Sequence, residues 1–462
     1  MKKTVIAYDL GIGGIKASLY ASDGAPLAST FKAYDTTFPE ESRHEQRPED
    51  WWDAVVATCQ ANRFFEKIDY EEWYNRTGSG FPRECYSLFK IMWYQEEQPE
   101  LFAKVHKIIG TKDYCNYRFT GRLCTDYSYA SGCGAFDLKA WDYIPEYMAA
   151  AGIDPSLFPE ILDSDAVLGT ITPEAAALTG LPTTVKVIAG GVDNACMALG
   201  ARGIKDGRIY TSLGTSAWIA LTSQEPVVDF KYKPYVFAHA IKGMYASATC
   251  IFSAGNSYKW VRDTLCPDLK AAEEAGGPDA YMAMDQLAEA SPIGANKLLF
   301  NPSLAGGSMI EASDDIVGAY AGLKLSTTRS DLIRSAMEGV ALNLRIALDI
   351  LCAYGDEALT EMLIVGGGSK SPLWRQIFAD AYGLDILKTS VDQDAASLGA
   401  AALAFKGVGL WEDYSPIDGL HTLEARTPVN SEHQKQYEAL LPVFKTVAQA
   451  MATTGDALKN LS

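Results

Sequence analysis

The stretch "IAYDLGIGGIKASLY", residues 6–20, places one aspartate and three glycines between two runs of β-forming residues. This order predicts a hairpin whose turn carries Asp9, Gly11 and Gly13. Such a turn can bind phosphate through its backbone N–H groups, and Asp9 could help to hold Mg²⁺. An Asx-turn explains Asp9 equally well in isolation. The spacing matches neither the Rossmann fingerprint, which needs a glycine at Lys16, nor the G-x-x-x-x-G-K-[ST] loop.

Size and composition predict a globular protein of two or three domains. The chain has 462 residues, of which 48% are apolar and 21% charged, a balance typical of packed domains. The net charge of -18 argues against a non-specific nucleic-acid binder, which needs a basic surface. A local phosphate site remains compatible with this charge, because backbone N–H groups can supply it.

The cysteines, the histidines and the N-terminus bear on the cellular compartment of the protein. Nine cysteines include no CxxC pair, and five histidines include no HxxxH pair, so neither a zinc site nor a disulfide framework is predicted. The opening "MKKTVIAYDL" enters a strand at once, unlike a signal peptide. No apolar run reaches the roughly 20 residues of a membrane helix. These features predict a soluble, cytoplasmic protein without a membrane partner.

The chain contains two units with the same opening plan. Residues 3–9, 15–21 and 26–33 predict an antiparallel meander, and "GRIYTSLGTSAWIALTS" repeats the plan of strand, turn and strand. We therefore predict domains at residues 1–202 and 203–462. Two similar α/β units facing each other would form a cleft between them, where ligand sites are favoured.

Helices and one further strand complete the predicted units. "RPEDWWDAVVATCQ", most of residues 61–110 and "STTRSDLIRSAMEGVALNLRIALDIL" show helical patterns, the last behind a cap at Ser330-Asp331. A strand "EMLIV", a loop "GGGSKS" and a helix "PLWRQIFADAY" follow, with Pro372 suited to the first helical position and Gly383 to the C-terminal cap.

Asp193 is the candidate catalytic residue of the stretch "AGGVDNACMA". It stands where a strand and a Gly-Gly turn lead into a helix. A carboxylate there could act as a general base on a substrate hydroxyl. A helix N-cap is an equally good explanation from this stretch alone.

Two later loops are candidate phosphate or nucleotide sites. Gly214, Thr215 and Ser216 could donate N–H and O–H groups to a phosphate, although an ordinary hairpin turn would look the same. Gly366, Gly367, Gly368 and Ser369 precede a helix whose N-terminal dipole suits a nucleotide. A loop without any ligand explains this second stretch about as well.

The order of these elements resembles the FGGY carbohydrate kinases, within the sugar kinase, Hsp70 and actin superfamily, and within the family it is most like the xylulokinases. The matching segments, in family order, are "YDLGIGGIKA", "HEQRPEDWW", "DYCNYRFTGRLCTDYSYASG", "GGVDNACMALGA", "YTSLGTSAWIA", "LLFNPSLAGG", "GAYAGLKLSTTRSDLIRSAMEGVALNLR", "IVGGGSKSPLWRQIFADAYG" and "DAASLGAAALA". They cover nearly the whole chain, so their joint specificity is high.

The resemblance implies an α/β fold of two ribonuclease-H-like domains with an interdomain cleft. It also implies ATP-dependent phosphorylation of a sugar or polyol hydroxyl with Mg²⁺. By position, Asp193 corresponds to the catalytic base and Asn194 to a residue that touches sugar hydroxyls. Asp9 corresponds to the metal-associated aspartate, so Asp9 and Asp193 are the expected metal neighbours. A homodimer is suggested by analogy only.

The same resemblance assigns the nucleotide loops. The first phosphate loop corresponds to Asp9 with Gly11 and Gly13, the second to Gly214–Ser216, and the adenosine loop to "GGGSKS". In this arrangement the glycines let the backbone approach the ATP phosphates. Metal and backbone dipoles would stabilise charge on the transferred phosphoryl group, while Asp193 accepts the sugar proton.

Two departures from the family pattern count against full activity. Ile12 stands where the family usually has a hydroxyl residue, so one phosphate contact is lost unless the Gly13 N–H or Lys16 replaces it. Between "DAVVATCQ" and "ANRFFEKI" the family carries several dozen further residues, including a central strand and part of the sugar pocket. Without them, the strand ending at Gly190 would lack a partner on one side.

Three hypotheses follow for the activity. The leading one is a kinase for a ketopentose such as D-xylulose, with ribulose, gluconate, fuculose and glycerol as alternative substrates. The second is a catalytically impaired homologue that binds sugar or nucleotide, which Ile12 and the missing segment favour. The third is an Hsp70- or actin-like ATPase, which shares the fold but lacks this order of motifs.

Overall fold

The structure, a computed structural model, describes residues 62–353, 359–391 and 395–461, apart from the side chain of Glu84. Of the first 61 residues it describes only the backbone of five strands. The chain divides into two compact units: unit 1 is Met1–Val192 with Val228–Lys242, and unit 2 is Asp193–Val227 with Gly243–Ser462. The domain division at 202/203 stays a prediction.

The described strands are numbered along the chain. They are β1 Thr4–Gly11, β2 Gly14–Ala21, β3 Pro26–Ala33, β4 Thr37–Glu40, β5 Arg43–Glu45, β6 Cys124–Asp126, β7 Phe136–Asp137, β8 Asp142–Tyr143, β9 Glu160–Leu162, β10 Val167–Thr170, β11 Lys186–Ile188, β12 Arg208–Leu213, β13 Ala217–Ser223, β14 Tyr235–Ala238, β15 Tyr245–Ile251, β16 Leu299–Asn301, β17 Ala319–Ala321, β18 Glu361–Val365, β19 Asp385–Thr389 and β20 Leu423–Thr427.

The helices are numbered in the same way, after a helical stretch at residues 62–65. They are α1 Tyr70–Thr77, α2 Ser87–Glu97, α3 Pro99–Phe102, α4 Thr111–Thr120, α5 Tyr127–Ser131, α6 Pro145–Ala150, α7 Pro173–Thr179, α8 Asp193–Gly200, α9 Gly255–Leu265, α10 Pro267–Glu274, α11 Ala280–Glu289, α12 Arg329–Cys352, α13 Pro372–Tyr382, α14 Ala395–Gly407, α15 Pro416–Leu420 and α16 Ser431–Lys459. Short 3₁₀ turns lie at Arg83–Cys85, Pro155–Leu157, Ala295–Lys297 and Gly367–Lys370. None of the described helices combines the length and the hydropathy needed to cross a bilayer.

Unit 1 opens with the predicted meander. Strands β1, β2 and β3 pair antiparallel in chain order, which confirms the prediction made from residues 3–33. The register places Asp9 opposite Lys16 and Gly11 opposite Gly14. The helix predicted at "RPEDWWDAVVATCQ" lies outside the described residues.

The rest of unit 1 is a helical layer with short strand pairs. The region predicted to be helical between residues 61 and 110 contains 62–65, α1, α2 and α3, with non-helical connections between them. Trp73 is buried within a cluster of aromatic rings, and its Nε1 donates to the Gly134 carbonyl at 2.8 Å. Among the described residues, β11 pairs with β10 alone.

Unit 2 is built on a mixed sheet with the order β15-β13-β12-β18-β19-β20. The predicted hairpin is confirmed, since β12 and β13 pair antiparallel from Arg208↔Thr222 to Leu213↔Ala217. β18, predicted from "EMLIV", lies parallel to β12. Because Ser212 pairs with Val365, the hairpin turn and the loop after β18 lie at the same edge of the sheet.

Helices cover both faces of this sheet. On one face, Ala198 of α8 and Ala395 of α14 pack against the side chains of Tyr210 and Leu363. On the other face, the hydroxyl of Thr249 donates to the Ala347 carbonyl of α12 at 3.1 Å. The sheet of unit 2 is therefore enclosed between two helical layers, as a strongly apolar sheet requires.

Helices α8 and α14 touch backbone to backbone. A Cβ atom added at Gly399 would lie 1.9 Å from the Cys196 carbonyl oxygen, and one added at Gly200 would lie 1.8 Å from that of Ala395. No side chain fits at these separations. The two glycines therefore set the distance at which α8 lies from α14.

The cap of α12 differs from the prediction. The N-cap is Thr328, not Ser330-Asp331, and Asp331 occupies the third helical position of a capping box. The reason is reciprocal hydrogen bonding: Asp331 Oδ2 accepts from the Thr328 N–H (2.9 Å) and hydroxyl (2.8 Å). At the next helix the prediction is confirmed, with Pro372 in the first turn and Gly383 as a left-handed C-cap.

Asp331 makes a pH-dependent contribution to stability. It is 1% exposed, and its Oδ1 also accepts from Ser291 Oγ (2.6 Å) and Asn296 Nδ2 (2.8 Å). Burial alone would raise the pKa of Asp331, but the hydrogen bonds from Ser291, Thr328 and Asn296 lower it to about 2. A lowered carboxyl pKa stabilises the fold above the unfolded-state pKa of about 3.9, and this stabilisation is lost as the pH falls through 2.

We expect Asp331→Asn to lower the free energy of unfolding by about 2–3 kcal/mol at pH 7. The difference from wild type should shrink between about pH 4 and pH 2. Urea denaturation at a series of pH values measures this difference in the free energy of unfolding. Asp268→Asn is the control, because the Asp268 carboxylate is exposed beside Arg329 and should contribute at most about 1 kcal/mol. A pH-independent loss in Asp331→Asn would contradict the assignment.

We expect Gly399→Ala to destabilise unit 2 by about 1–3 kcal/mol, the usual cost of overpacking. The reason is that α14 must move away from the Cys196 carbonyl to admit the methyl group. Gly419→Ala serves as the matched control, because a Cβ atom there meets nothing within 4 Å. Equal unfolding free energies for the two variants in urea would show that the helices do not depend on this contact.

Candidate functional site

Asp193 is the first residue of α8 and is exposed. The Asn194 N–H donates to its Oδ1 at 2.8 Å. An N-cap side chain accepts instead from the second or third residue beyond it, so this bond is not the capping pattern. Among the described residues, Oδ2 has no hydrogen-bond partner. One carboxylate oxygen is thus held by the backbone while the other is available.

Tyr210 of β12 is a buried side chain whose pKa responds to the charge of Asp193. Tyr210 is 2% exposed, and its hydroxyl has no hydrogen-bond partner in the described part of the chain. Burial raises the pKa of Tyr210, and the negative charge of Asp193 raises it further.

The segment that leads into Asp193 is held by hydrogen bonds from α4. Lys112 Nζ and Asn116 Nδ2 both donate to the Ala189 carbonyl oxygen, at 3.0 and 2.8 Å. The Gly190 N–H donates to the Ser164 carbonyl at 2.8 Å. These bonds fix the backbone that follows β11.

A buried carboxylate anchors the same segment from the other side. Ser128 Oγ accepts the Val192 N–H at 2.9 Å and donates to Asp126 Oδ2 at 2.5 Å. Ser164 Oγ donates to the same Asp126 oxygen at 2.7 Å. Asp126 is 0% exposed, and a buried network of hydrogen bonds of this kind rigidifies its surroundings.

Lys112 compensates the buried negative charge. Its Nζ lies 2.6 Å from Asp113 Oδ1 and 3.0 Å from Asp126 Oδ1. Burial lowers the pKa of Lys112, but Asp126 and Asp113 outweigh that effect and raise it. Lys112 therefore stays charged. Sequence reasoning assigned no role to these residues, although Asp113 and Asp126 lie within the motif "DYCNYRFTGRLCTDYSYASG" and Lys112 directly precedes it.

The turn at Gly214–Ser216 presents hydrogen-bond donors. All three residues are exposed. The carbonyl oxygen of Gly214 accepts from the Gly255 N–H (3.0 Å), and that of Thr215 accepts from the N–H groups of Ala254 (3.2 Å) and Asn256 (3.0 Å). Among the described residues, the N–H and hydroxyl groups of Thr215 and Ser216 have no partner. A turn with occupied carbonyls and free donors is suited to an anion.

The loop after β18 packs against the same hairpin. Gly366 has φ +93°, and a Cβ atom there would lie 2.6 Å from the Leu213 carbonyl oxygen, so only glycine fits. Gly367 is exposed, with nothing within 4 Å of an added Cβ. Ser369 is 0% exposed, and its hydroxyl has no partner in the described chain. Leu213 thus joins the two predicted nucleotide loops of unit 2.

The predicted first phosphate loop is described only in part. The structure gives the backbone of Asp9, Gly11 and Lys16 in β1 and β2, while their side chains, Gly13 and Ile12 lie outside the described residues. The meeting of Asp9 with Asp193 stays a prediction. In the described part of the chain, no three His, Cys, Asp or Glu side chains form a metal-holding group.

Family comparisons match both parts of the chain. Residues 61–200 match the N-terminal domain of the FGGY family of carbohydrate kinases. Residues 209–408 match the C-terminal domain of the same family. The N-terminal match begins directly after Gln60, where the sequence analysis places a missing segment.

Curated relatives align along the whole chain. The xylulose kinase of Bacillus subtilis (strain 168) is 28% identical over 513 positions, covering 99% of each chain. The gluconokinase of Bacillus licheniformis is 26% identical over 501 positions, covering 98% of this chain and 96% of the relative. Because this chain has 462 residues, each relative has residues at dozens of positions where this chain has none.

A solved structure supports the fold. The ligand-bound xylulose kinase from Lactobacillus acidophilus superposes with a TM-score of 0.78 at 22% identity, covering 98% of this chain and 99% of that one. This likeness confirms the predicted sugar-kinase fold class.

We expect Ser128→Ala to release the segment before Asp193. Losing the Oγ acceptor leaves the Val192 N–H unpaired, so its amide hydrogen exchange should accelerate about tenfold, as the loss of about 1.4 kcal/mol implies. Exchange measured by mass spectrometry over residues 189–194 tests this.

Ser131→Ala is the matched control for this experiment. Ser131 is also buried in α5, but its Oγ accepts the Ala238 N–H at 3.1 Å. This variant should accelerate exchange at Ala238 and leave Val192 unchanged. The opposite pattern would contradict the assigned hydrogen bonds.

Proposed function

The chain belongs to the FGGY family of carbohydrate kinases, and from this membership we propose that it transfers the γ-phosphoryl group of ATP to a hydroxyl of a ketopentose such as D-xylulose. Asp193 is the proposed general base. The observation that carries the proposal is the combination, within unit 2, of an available carboxylate oxygen with a turn of unpaired donors. Neither feature has a structural use in the described chain.

Asp193 is suited to accept the sugar proton. Its Oδ1 is held by the Asn194 N–H, which orients the carboxylate, and Oδ2 is available for the substrate hydroxyl. Asn194 is half-buried beside it and is the proposed partner for a further sugar hydroxyl. As the proton moves to Asp193, the sugar oxygen gains the negative charge that it needs for in-line attack.

The donors of Thr215 and Ser216 are suited to the phosphates of ATP. Charge on the transferred group spreads over its equatorial oxygens, and fixed donors stabilise it without reorganisation. The bonds from Ala254, Gly255 and Asn256 to the turn carbonyls keep those donors directed outward. Gly366, Gly367, Gly368 and Ser369 are the proposed adenosine loop, of which Gly367 offers an open surface.

Mg²⁺ is proposed to accompany ATP. This ion takes one or two carboxylates together with phosphate oxygens and water, a donor set that needs no cluster of protein ligands. Asp9 and Asp193 are the carboxylates proposed to lie beside the ion. When bound, the ion neutralises negative charge on the phosphates.

The ketopentose is proposed from the relatives and from two sequence cues. The cues "GGVDNAC" and "FNPSLAGG" resemble those of xylulokinases, and a 28% identical relative is named xylulose kinase. Gluconate is the alternative that the gluconokinase relative favours. Ribulose, fuculose and glycerol are further alternatives. A cytoplasmic location and a homodimer remain predictions.

A catalytically impaired sugar- or nucleotide-binding homologue is the second candidate. The observations that favour it are Ile12 and the alignment positions at which this chain has no residue. The available oxygen of Asp193 and the free donors of Thr215 and Ser216 favour an active enzyme instead. Sugar-stimulated ADP release separates the two.

We expect Asp193→Asn to lower D-xylulose-stimulated ADP release by about 10²- to 10⁴-fold, because the amide cannot accept the proton. Nucleotide binding should survive, since the donors of the 214–216 turn are unchanged. A coupled ADP-release assay and nucleotide titration measure the two quantities.

Asp206→Asn is the control for this substitution. Asp206 is an exposed residue of unit 2 whose Oδ1 also accepts a backbone N–H, that of Gln224 at 2.8 Å, and its variant should keep full turnover. Unchanged turnover in Asp193→Asn would rule out the assigned base. Nucleotide binding without turnover in the wild-type chain would establish the impaired homologue.

A further inference from the structure

Arg375 is an arginine of α13 that has no carboxylate partner in the described part of the chain. It is half-buried in the first turn of the helix, directly after the loop at residues 366–369. Burial lowers the pKa of Arg375, and the charge of Glu424 does not offset this effect, because Glu424 is paired with Lys388 instead. A cation withdrawn from water without an ion pair is costly, so a specific contact is expected to hold this side chain in place.

That contact is a hydrogen bond to the proposed adenosine loop. Arg375 Nη1 donates to the Ser369 carbonyl oxygen at 2.5 Å, whereas its Nε is buried and has no partner among the described residues. A hydrogen bond from a charged donor is stronger than one between neutral groups. Ser369 is 0% exposed, and its carbonyl oxygen has no other partner in the described chain. Arg375 therefore restrains the peptide that joins Ser369 to Lys370.

This bond completes a set of occupied carbonyls in the loop. The Gly366 carbonyl accepts from the Ser369 N–H at 3.0 Å, and the Gly368 carbonyl accepts from the Ser371 N–H at 3.4 Å. Those two bonds are formed by the backbone of residues 366–371 itself, whereas the third comes from a side chain of α13. Three peptide planes are thus fixed before any ligand binds. A loop that is already ordered loses less conformational entropy on binding.

The N-terminus of α13 does not need Arg375 for its own stability. Ser371 is the N-cap, and its Oγ accepts from the Trp374 N–H at 3.0 Å. Trp374 Nε1 donates to the Met337 carbonyl at 3.0 Å and ties the start of the helix to α12. Removal of the Arg375 guanidinium should therefore alter the loop and leave the helix intact.

We propose that Arg375 is a positioning residue for nucleotide binding, which holds the Ser369 carbonyl so that the loop at 366–369 has its binding conformation before ATP arrives. This role rests on the proposed function, because the loop is taken as the site of adenosine. Arg375 acts on the loop and not on the transferred phosphoryl group. It therefore determines the affinities for ATP and ADP to the same extent, and not the rate of phosphoryl transfer at saturating ATP.

Arg375→Met tests this role, because methionine keeps a flexible apolar side chain and removes the donor. ATP and ADP should each bind about tenfold more weakly in calorimetry of the full chain, as the loss of one charged hydrogen bond implies. The KM for ATP should rise by the same factor, while kcat and the KM for D-xylulose stay within about twofold. Arg375→Lys keeps a cationic donor and should restore most of the affinity; a lysine variant as weak as Arg375→Met would contradict the role of this donor.

Hydrogen exchange gives a readout that does not depend on turnover. In the nucleotide-free chain, the amides of Ser369 and Ser371 should exchange faster in Arg375→Met than in wild type, because their carbonyl partners lie in the released loop. Saturation with ADP should remove most of the difference, since the bound nucleotide then orders the loop.

Arg345→Met is the matched control. Arg345 is also a half-buried arginine whose Nη1 donates to a backbone carbonyl, that of Ala381 at 2.6 Å, but at the opposite end of α13. This variant should lose stability, because Arg345 Nε also binds Asp349 at 2.6 Å, and it should keep the wild-type affinity for ATP. An equal loss of ATP affinity in both variants would show that Arg375 acts through the stability of the helix and not through the loop.

Three further outcomes would overturn the inference: unchanged ATP and ADP affinity in Arg375→Met, a fall of kcat at saturating ATP with unchanged affinity, or a wild-type chain that binds no nucleotide. Failure of the proposed function gives a different result. A chain whose ATP affinity depends on Arg375 but which shows no turnover would keep the positioning role and remove the catalytic assignment. Sugar-stimulated turnover that requires Asp193, together with an Arg375-independent ATP affinity, would remove the positioning role alone.

Discussion

The backbone contact between α8 and α14 is the constraint on which the candidate site depends. Gly200 and Gly399 remove the Cβ atoms that would otherwise separate the helices. At this distance α8 lies flat on the sheet face that includes Tyr210 and Leu363. Asp193 is the first residue of α8, so this packing sets the position of its backbone.

The Asp193 backbone is restrained from both directions along the chain. The helix α8 begins at Asp193 and is packed against the sheet. The segment that precedes Asp193 in the chain accepts hydrogen bonds from Lys112 and Asn116 and donates one to Ser128. Buried charge makes this second restraint strong, because Asp126 would be costly to bury without its hydroxyl and ammonium partners. The backbone of the exposed Asp193 is thereby fixed in position, while its Oδ2 has no hydrogen-bond partner in the described chain.

The 214–216 turn shows how a generic hairpin becomes an anion receptor. Its carbonyl oxygens, which would repel phosphate, are bound by the N–H groups at the start of α9. Its N–H and hydroxyl groups remain unpaired among the described residues. Leu213 contacts the loop at Gly366. Only a glycine fits there, because a Cβ atom at Gly366 would clash with the carbonyl oxygen of Leu213. The local sequence is compatible with an ordinary turn. The hydrogen bonds from the start of α9 to the turn carbonyls are what make it suited to an anion.

The sequence by itself determined the meander of β1–β3, the β12–β13 hairpin, the helix from Pro372 to Tyr382 and the family, because hydrophobic period, turn residues and motif order are local or ordered along the chain. Only the tertiary structure decided that Asp193 does not form a typical N-cap, that Thr328 rather than Ser330 caps α12, and that Lys112, Asp126 and Ser164 form one network. These facts join residues from distant parts of the chain or choose between equally good local partners. Side-chain partners of that kind are fixed by packing, which no local pattern in the sequence records.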